Sequence, residues 1–411
     1  MSAPKETTRS FLDIILEGTI EFESPERYYW WSGIAAIAAV MGKRVYLNRG
    51  DRYRLYTNIY VALVSERSGL RKGDPISLCK ELLQECGGVR IISGCNSIQG
   101  LIHDLSMQKT FPDGSVLNKA QGIMISSEFV TFLTADPNAL DFLIDLYNPH
   151  EYEESWEKTL KGSPVEKLRS PCLSLLIASN QAMFDDVVKQ KQIEGGFIGR
   201  TFLVHERRTK TINDLIDLPE VALDKKTLVK WLKKIAKVEG GFKWTPGAVE
   251  VYRPWYRKLA LSLRNENIED RTGTLNRLGD QVLRIAMLIS LSRKEDLDLV
   301  AEDISLAIIK CEECMQAVQV SNMGSSRTDI NLGEAMNLVI TTLMLAKDRT
   351  MSKIEILNKF RHKGMDVYML DRIVESLVQS QAIEQLRMPK VGMCYRVTKK
   401  EFEKWKSFGG K

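Results

Sequence analysis

The stretch Asn58 to Leu78, NIYVALVSERSGLRKGDPISL, admits few structures. Ile59 to Val64 is a short apolar run rich in Ile, Val and Tyr, the pattern of a strand buried on both faces. SERSGLRKG follows at once, and Pro75 then opens a helical stretch from Ile76 to Cys86. Strand, small-residue turn, lysine and helix N-terminus together suit phosphate binding. Backbone N–H groups and the positive helix end face the anion, and the lysine reaches in beside them. The regular pattern is G-x-x-x-x-G-K-[ST]. Aligned on Lys72, this loop carries Glu66 at the first glycine, Arg71 at the second and Gly73 at the hydroxyl position. The candidate phosphate-binding residues are Ser68, Gly69, Lys72, Gly73 and Asp74, in a loop that is either damaged or specialised.

The rest of the chain has an ordinary composition for two or three domains with a sizeable core: 411 residues, 44% hydrophobic and 27% charged. A net charge of only +5 excludes a chain that is basic throughout. The surplus is local, because residues 332–411 hold 15 Lys and Arg against 9 Asp and Glu. No apolar run approaches the roughly 20 residues of a membrane helix, and no signal-peptide pattern opens the sequence. Seven cysteines, odd in number and scattered, predict a reducing cytoplasm. Cys311 and Cys314 form one CxxC inside a helical pattern, read as reduced helix residues in preference to a zinc or redox site.

Taken in order, a polar arm leads into a short amphipathic helix, Phe11 to Glu17. The next helix, Pro25 to Met41, carries YYWWSGIAAIAAVM, apolar nearly all round. It is too short to span a membrane and reads as a helix packed on a sheet. Val45 to Tyr56 is polar and strand-like. Beyond the loop and its helix, strands are expected at Arg90–Ile92, Gly122–Ile125 and Cys172–Ala178, with a helix at Ser97–Met107. Gly122–Ile125 ends in Ser126-Ser127-Glu128, and Cys172–Ala178 ends in Ser179-Asn180. Then GGFIGR, residues 195–200, precedes another strand. An arginine on such a turn can reach a neighbouring subunit's nucleotide and stabilise charge on a transferring phosphoryl group. The alternative is a surface or salt-bridged arginine. Residues 155–171, SWEKTLKGSPVEKLRSP, read as a β-hairpin with Lys161 at its tip and Lys158 and Lys167 beside it. These lysines either meet nucleic-acid phosphates or are solvated surface groups.

From about Tyr28 to Ser292 the chain resembles the helicase-type ATPase modules of phage and mobile-element replication proteins, the primase–helicase group within the AAA+ class. YYWWSGIAAIAAVMG, NIYVALVS, SGLRKG, ISSEF, LLIASNQ, GGFIGR and RLGDQVLRIAMLISLS carry the resemblance, in the family's order and at its spacing. It implies ATP as cofactor, with Mg²⁺, and a catalytic set of Glu128, Asn180 and Arg200. Glu128 acts on the attacking water, Asn180 senses the γ-phosphate from a strand between the other two, and Arg200 is a finger. RLGDQVLRIAMLISLS resembles a helical lid, with Arg284 as a second sensor facing its own subunit's nucleotide; a solvated helix arginine is the alternative. The sequence departs from the family pattern at the glycine before Lys72, at the hydroxyl after it, and at Ser127 where an aspartate is usual. These departures favour binding over fast turnover.

Residues 212–328 read as helical, with breaks at 237–245 and 265–274, and 321–331 (SNMGSSRTDIN) as a linker. After it come helices at Leu332–Ala346, Ser352–Lys363 and Asp366–Ser380 and a strand pair around 389–392. Ser352 and Glu355 have capping-box spacing. Three helices and a β-wing predict a winged helix, with Arg361, Lys363, Arg372, Arg387 and Lys390 as candidate DNA contacts, or with a protein as the docking partner.

The predicted fold class is therefore α/β: N-terminal helices (1–50), an AAA+ P-loop core (51–210), a helical lid (211–320), a linker and a winged-helix domain (332–411). The expected function is an ATP-dependent helicase or translocase acting as a homo-oligomeric ring on DNA, single-stranded in the ring channel, in replication of a phage or mobile element. A separate primase is a possible partner, since no primase motif is present. The alternatives are a non-hydrolysing initiator or loader and a winged-helix regulator with a degenerate sensor domain.

Overall fold

The computed structural model describes residues 9–65, 69–94, 97–127, 129–136, 138–152, 154–158, 166–181, 196–207, 209, 212, 222–265, 270, 272–320, 332–360, 367–388 and 392–407. The chain divides into two compact units, Met1–Gly324 and Ser325–Lys411.

In the first unit, a ribbon of β1 (Val45–Arg49) and β2 (Tyr53–Tyr56) leads into β3 (Tyr60–Ser65), which is buried throughout. Ile59, Val61 and Leu63 enter one core, and Tyr60, Ala62 and Val64 enter another. A strand that is apolar on both faces needs a layer on each side and parallel neighbours joined by crossovers. β3 has both. The later strands are β4 (Ile91–Ile92), a small hairpin β5 (Lys109–Thr110) and β6 (Val116–Leu117), and β7 (Gln121–Ser126). They continue with the hairpin β8 (Ser155–Lys158) and β9 (Glu166–Arg169), then β10 (Cys172–Asn180) and β11 (Thr201–Glu206). Five of them form one parallel sheet in the order β11–β3–β10–β7–β4. β10 thus lies between β3 and β7.

One face of the sheet is covered by α1 (Phe11–Gly18), α2 (Glu26–Met41) and α3 (Gly73–Cys86). The other is covered by α4 (Ile98–Ser106), α5 (Phe129–Ala135) and α6 (Ala139–Asp145). α2 is buried on every side because α1 crosses it at Gly33, where a Cβ would meet Ile15 Cδ1 at 2.9 Å. Trp31 is fully buried and stacks on Phe202 of β11, with ring centroids 4.8 Å apart.

Four helices follow among the described residues: α7 (Lys225–Ile235), α8 (Pro246–Asn265), α9 (Thr274–Arg293) and α10 (Ala301–Val320). The sequence leads one to expect a lid here. Instead, α9 is buried along most of its length and belongs to the same core as α2 and one face of β3. The break at 237–245 also adds a two-residue strand, Gly240–Gly241, that pairs parallel with β1.

The second unit contains α11 (Leu332–Leu345), α12 (Lys353–Phe360), α13 (Val367–Gln379) and α14 (Lys399–Ser407). Its antiparallel sheet joins Thr350–Ser352, Ile383–Met388 and Gly392–Val397. Ser352 and Glu355 bond reciprocally, as their spacing predicts. Leu370, Ile373, Val374 and Leu377 of α13 are buried while Arg372 and Glu375 face solvent. The first strand of this sheet and α14 have no counterpart in the sequence reading. Among the described residues, no helix is long and apolar enough to cross a membrane.

Trp31→Ala is expected to cost about 3–5 kcal/mol, the range for emptying a packed aromatic site. Chemical denaturation monitored by circular dichroism measures it; an unchanged midpoint would contradict the packing role.

Candidate functional site

Parallel pairing brings the C-terminal ends of the five strands to one edge, where α/β sheets bind ligands. β3 ends at Ser65, in register with Asn180 of β10 on one side and Glu206 of β11 on the other. β7 ends beside Ile177, so Ser127 continues toward the same edge. α3 begins at Gly73 with Lys72 as its cap residue, and Lys72 Nζ donates to Ser65 Oγ at 2.5 Å. Lys72, Ser65 and Asn180 therefore meet in front of the N-terminus of a 14-residue helix, whose first N–H groups need acceptors. Cβ atoms added at Gly69 and Gly73 would meet nothing within 4 Å, so the loop faces open space there. Burial lowers the Lys72 pKa, and an anion beside it would raise it again.

Arg71 occupies the position of the second motif glycine with φ of 43°, the left-handed region that glycine usually supplies. The strain, about 1–2 kcal/mol for an L-residue, is opposed by an ion pair of its Nε with Glu23. Asp74 in the first turn has its pKa raised, chiefly by burial and further by Glu23, against the lowering effect of Arg71.

Two clefts flank the start of α3. One, of about 330 Å³, has an apolar lining of Phe22, Tyr29, Leu78 and Leu223 beside Arg71 and Asp74. The other, of about 360 Å³, is lined by Ser77, Ser93, Ser126, Ser127, Thr131 and Lys80. Its described residues offer hydroxyls and no carboxylate. Mg²⁺ is usually held through carboxylates and phosphates, so this donor set does not fit that ion. Glu128, the carboxylate that the sequence puts next, lies outside the described residues, as does Ser68.

The opposite edge holds the residues that sequence reasoning misassigned or missed. Arg284 is 2% exposed and donates from Nη1 to the carbonyl oxygens of Tyr56 and Asn58 and to Asn58 Oδ1. Asn58 precedes β3 and Lys72 meets its last residue, a separation of roughly 23 Å at 3.3 Å per residue. Arg284 therefore cannot contact phosphates at its own Lys72, and the second-sensor assignment is corrected. The physical reason is that a guanidinium on a helix buried all round must find acceptors, and the unpaired carbonyls ahead of β3 supply them. Asn58 completes the clamp by donating to the Tyr147 carbonyl at 2.9 Å. Arg200 is also at this edge, level with the start of β3, and donates to the Gly196 carbonyl.

The hairpin β8–β9 forms as expected and precedes β10, away from Lys72. Lys167, however, is 2.5 Å from Glu157 across the hairpin, so its charge is already paired. The tip with Lys161 and the side chain of Lys158 lie outside the described residues. In the second unit Arg372 and Arg387 are exposed, while Arg361, Lys363 and Lys390 lie outside the described residues. The sequence reading put Ser65 first in the loop, where the structure makes it the last residue of β3, and nothing local pointed to Glu23 or Asn58. Neither a scan against models of protein families nor a search of curated proteins finds a match.

Arg284→Ala is expected to lower stability by about 1–3 kcal/mol for each buried oxygen of Tyr56 and Asn58 left without a donor, without changing nucleotide affinity of the folded protein. Retained stability with lost affinity would reverse this assignment. Lys72 yields a pH test. Its folded pKa lies below the ordinary 10.5, so the unfolded chain holds more protons in the window up to that value. Stability conferred by this group therefore rises with pH there. Urea unfolding at pH 8 and pH 10 should show wild type gaining relative to Lys72→Met; a constant difference would contradict the burial effect.

Proposed function

We propose that the chain is a DNA-associated ATPase of the AAA+ P-loop class that works as a homo-oligomeric ring, a helicase or translocase in replication of a phage or mobile element. One observation carries the reading: the lysine-bearing loop leaves the end of β3, and a strand with a polar tip, β10, is inserted between β3 and β7. This is the arrangement in which a phosphate loop, a sensor and a water-activating group share an edge.

Lys72 neutralises the nucleotide phosphates, oriented by Ser65, while the α3 N–H groups take the remaining oxygens. The apolar slot at Phe22 and Tyr29 holds the base. Glu128 positions the attacking water, Asn180 senses the terminal phosphate, and Arg200 serves a neighbouring subunit. The hairpin around Lys161 meets single-stranded DNA. The C-terminal unit, read as a winged helix, holds DNA or a partner such as a primase, with the exposed Arg372 and Arg387 as contacts. A nucleotide-binding initiator or loader without turnover is the second reading, favoured by Gly73 and Ser127 where a hydroxyl and a carboxylate would engage a metal.

ATP hydrolysis by the purified full chain, with Mg²⁺ and with or without single-stranded DNA, tests this. Turnover stimulated by DNA and lost in Lys72→Ala is expected, with Glu128→Gln binding nucleotide but not cleaving it. Tight binding without turnover selects the initiator reading, and unchanged ATP affinity in Lys72→Ala removes the loop assignment.

A further inference from the structure

The hydroxyl-lined cleft of about 360 Å³ begins at the first residue of α3, immediately after the lysine of the loop. Gly73, Ser77 and Lys80 form one wall; residues spaced by four and seven share a helix face. Ser126 and Ser127 at the tip of β7, Ser93 beyond β4 and Thr131 of α5 form the rest. β4 and β7 are neighbours in the parallel sheet, so their tips reach the same edge at which Lys72 meets Ser65.

In P-loop ATPases a divalent cation bridges the last two phosphates and neutralises charge that develops there. The described residues of this cleft supply hydroxyls and one ammonium. Mg²⁺ demands octahedral oxygen ligands and is usually anchored by carboxylates. A lysine in the same space opposes it, because two cations a few ångström apart repel. Lys80 is also without a counter-charge: it forms no ion pair or hydrogen bond with a described residue, and the adjacent Glu81 is committed to Lys225 at 2.5 Å. Lys80 lies seven residues past Gly73, about 10 Å of helix rise. Helical side chains lean toward the N-terminus, so the long Lys80 side chain carries its ammonium back toward the start of α3. An ammonium is a point charge with three donors that suits phosphate oxygens, and hydroxyls rotate to donate to those that remain.

We propose that Lys80, with the hydroxyls of Ser77 and Ser127, binds the terminal phosphate of the nucleotide held at Lys72, in the place of a divalent cation. The triphosphate is then bound independently of Mg²⁺, its neutralising charge being built into α3. This rests on the function proposed above for Lys72; what it adds is Lys80 as a phosphate ligand and a nucleotide held without metal. Two departures of the sequence from the family pattern then have one cause. Gly73 lacks the hydroxyl and Ser127 the carboxylate that would hold a metal, and Lys80 supplies a cation on the wall between them.

Calorimetric titration of the full chain with the β,γ-imido analogue of ATP, which is not cleaved, tests this in buffers with Mg²⁺ and with EDTA. Wild-type affinity is expected to agree within about threefold between the two; a larger loss in EDTA overturns metal independence. In EDTA, Lys80→Met should weaken the analogue about tenfold or more, the loss of a hydrogen bond to a charged group. ADP, which lacks the terminal phosphate, should change less than about threefold, and its retained binding shows that the variant is folded. Analogue binding equal to wild type, or an equal loss for analogue and ADP, overturns the role of Lys80. Lys80→Glu puts a carboxylate on the same wall and should bind the analogue about tenfold more tightly with Mg²⁺ than with EDTA. Without that gain, Lys80 does not stand in a cation's place. Lys72→Ala judges the loop separately. If it leaves analogue affinity unchanged, the loop reading fails, and tripolyphosphate in EDTA then decides for Lys80. A weakening of about tenfold in Lys80→Met keeps a metal-free polyphosphate site, and equal binding overturns it.

Discussion

β3 is hydrogen-bonded in parallel on both sides and packed on both faces, and most of the first unit follows from that. A strand so enclosed cannot be an edge and cannot alternate polar with apolar residues, so its sequence is an unbroken apolar run. Parallel pairing also gives the sheet two chemically different ends. At the C-terminal end are a lysine, a helix N-terminus and a row of hydroxyls. At the other are the guanidinium groups of Arg200, Arg277 and Arg284 around Tyr147. A strand length separates them, so no side chain serves both.

Arg284 shows how the second end is held. Burying a guanidinium costs several kcal/mol, and hydrogen bonds to a charged group return about 1.5–3 kcal/mol each. The three oxygens of Tyr56 and Asn58 bring these into balance, and the Tyr147 ring, 4.8 Å away, adds a favourable face. Those carbonyls are available because the chain between β2 and β3 changes partners there. The same residues thus anchor α9, fix the start of β3 and orient Tyr147 through Asn58. Arg200 and Arg277 inherit a rigid frame.

What was legible in the sequence was what has a period or a fixed spacing. The buried strands, the amphipathic α1, the apolar α2, the hairpin 155–171 and the Ser352–Glu355 box all announce themselves within a few residues. Two-residue strands such as Gly240–Gly241 have no period to read and depend on β1 arriving beside them. RLGDQVLRIAMLISLS reads equally well as a lid or as a core helix, because hydrophobicity gives burial and not the identity of the covering surface. Of the site, Lys72 and Asn180 were found from strand ends, since parallel sheets bring those together. The Arg71–Glu23 pair was invisible, being a tertiary contact between segments with no common pattern.

The irregular loop is better judged by geometry than by counting motif mismatches, because the mismatches are not equivalent. A glycine before the lysine supplies backbone freedom. Arg71 adopts a left-handed conformation and is held there by Glu23, so the shape survives the substitution. Gly73 removes a hydroxyl but keeps its N–H at the helix start, which preserves a phosphate donor and removes an oxygen ligand for metal. Ser127 exchanges a charge for a neutral oxygen, again at the expense of a divalent cation. On the proposed reading, phosphate binding and metal-assisted turnover therefore fall to different residues. On that reading Lys72 and the α3 N-terminus answer the first requirement, and the second falls to Glu128.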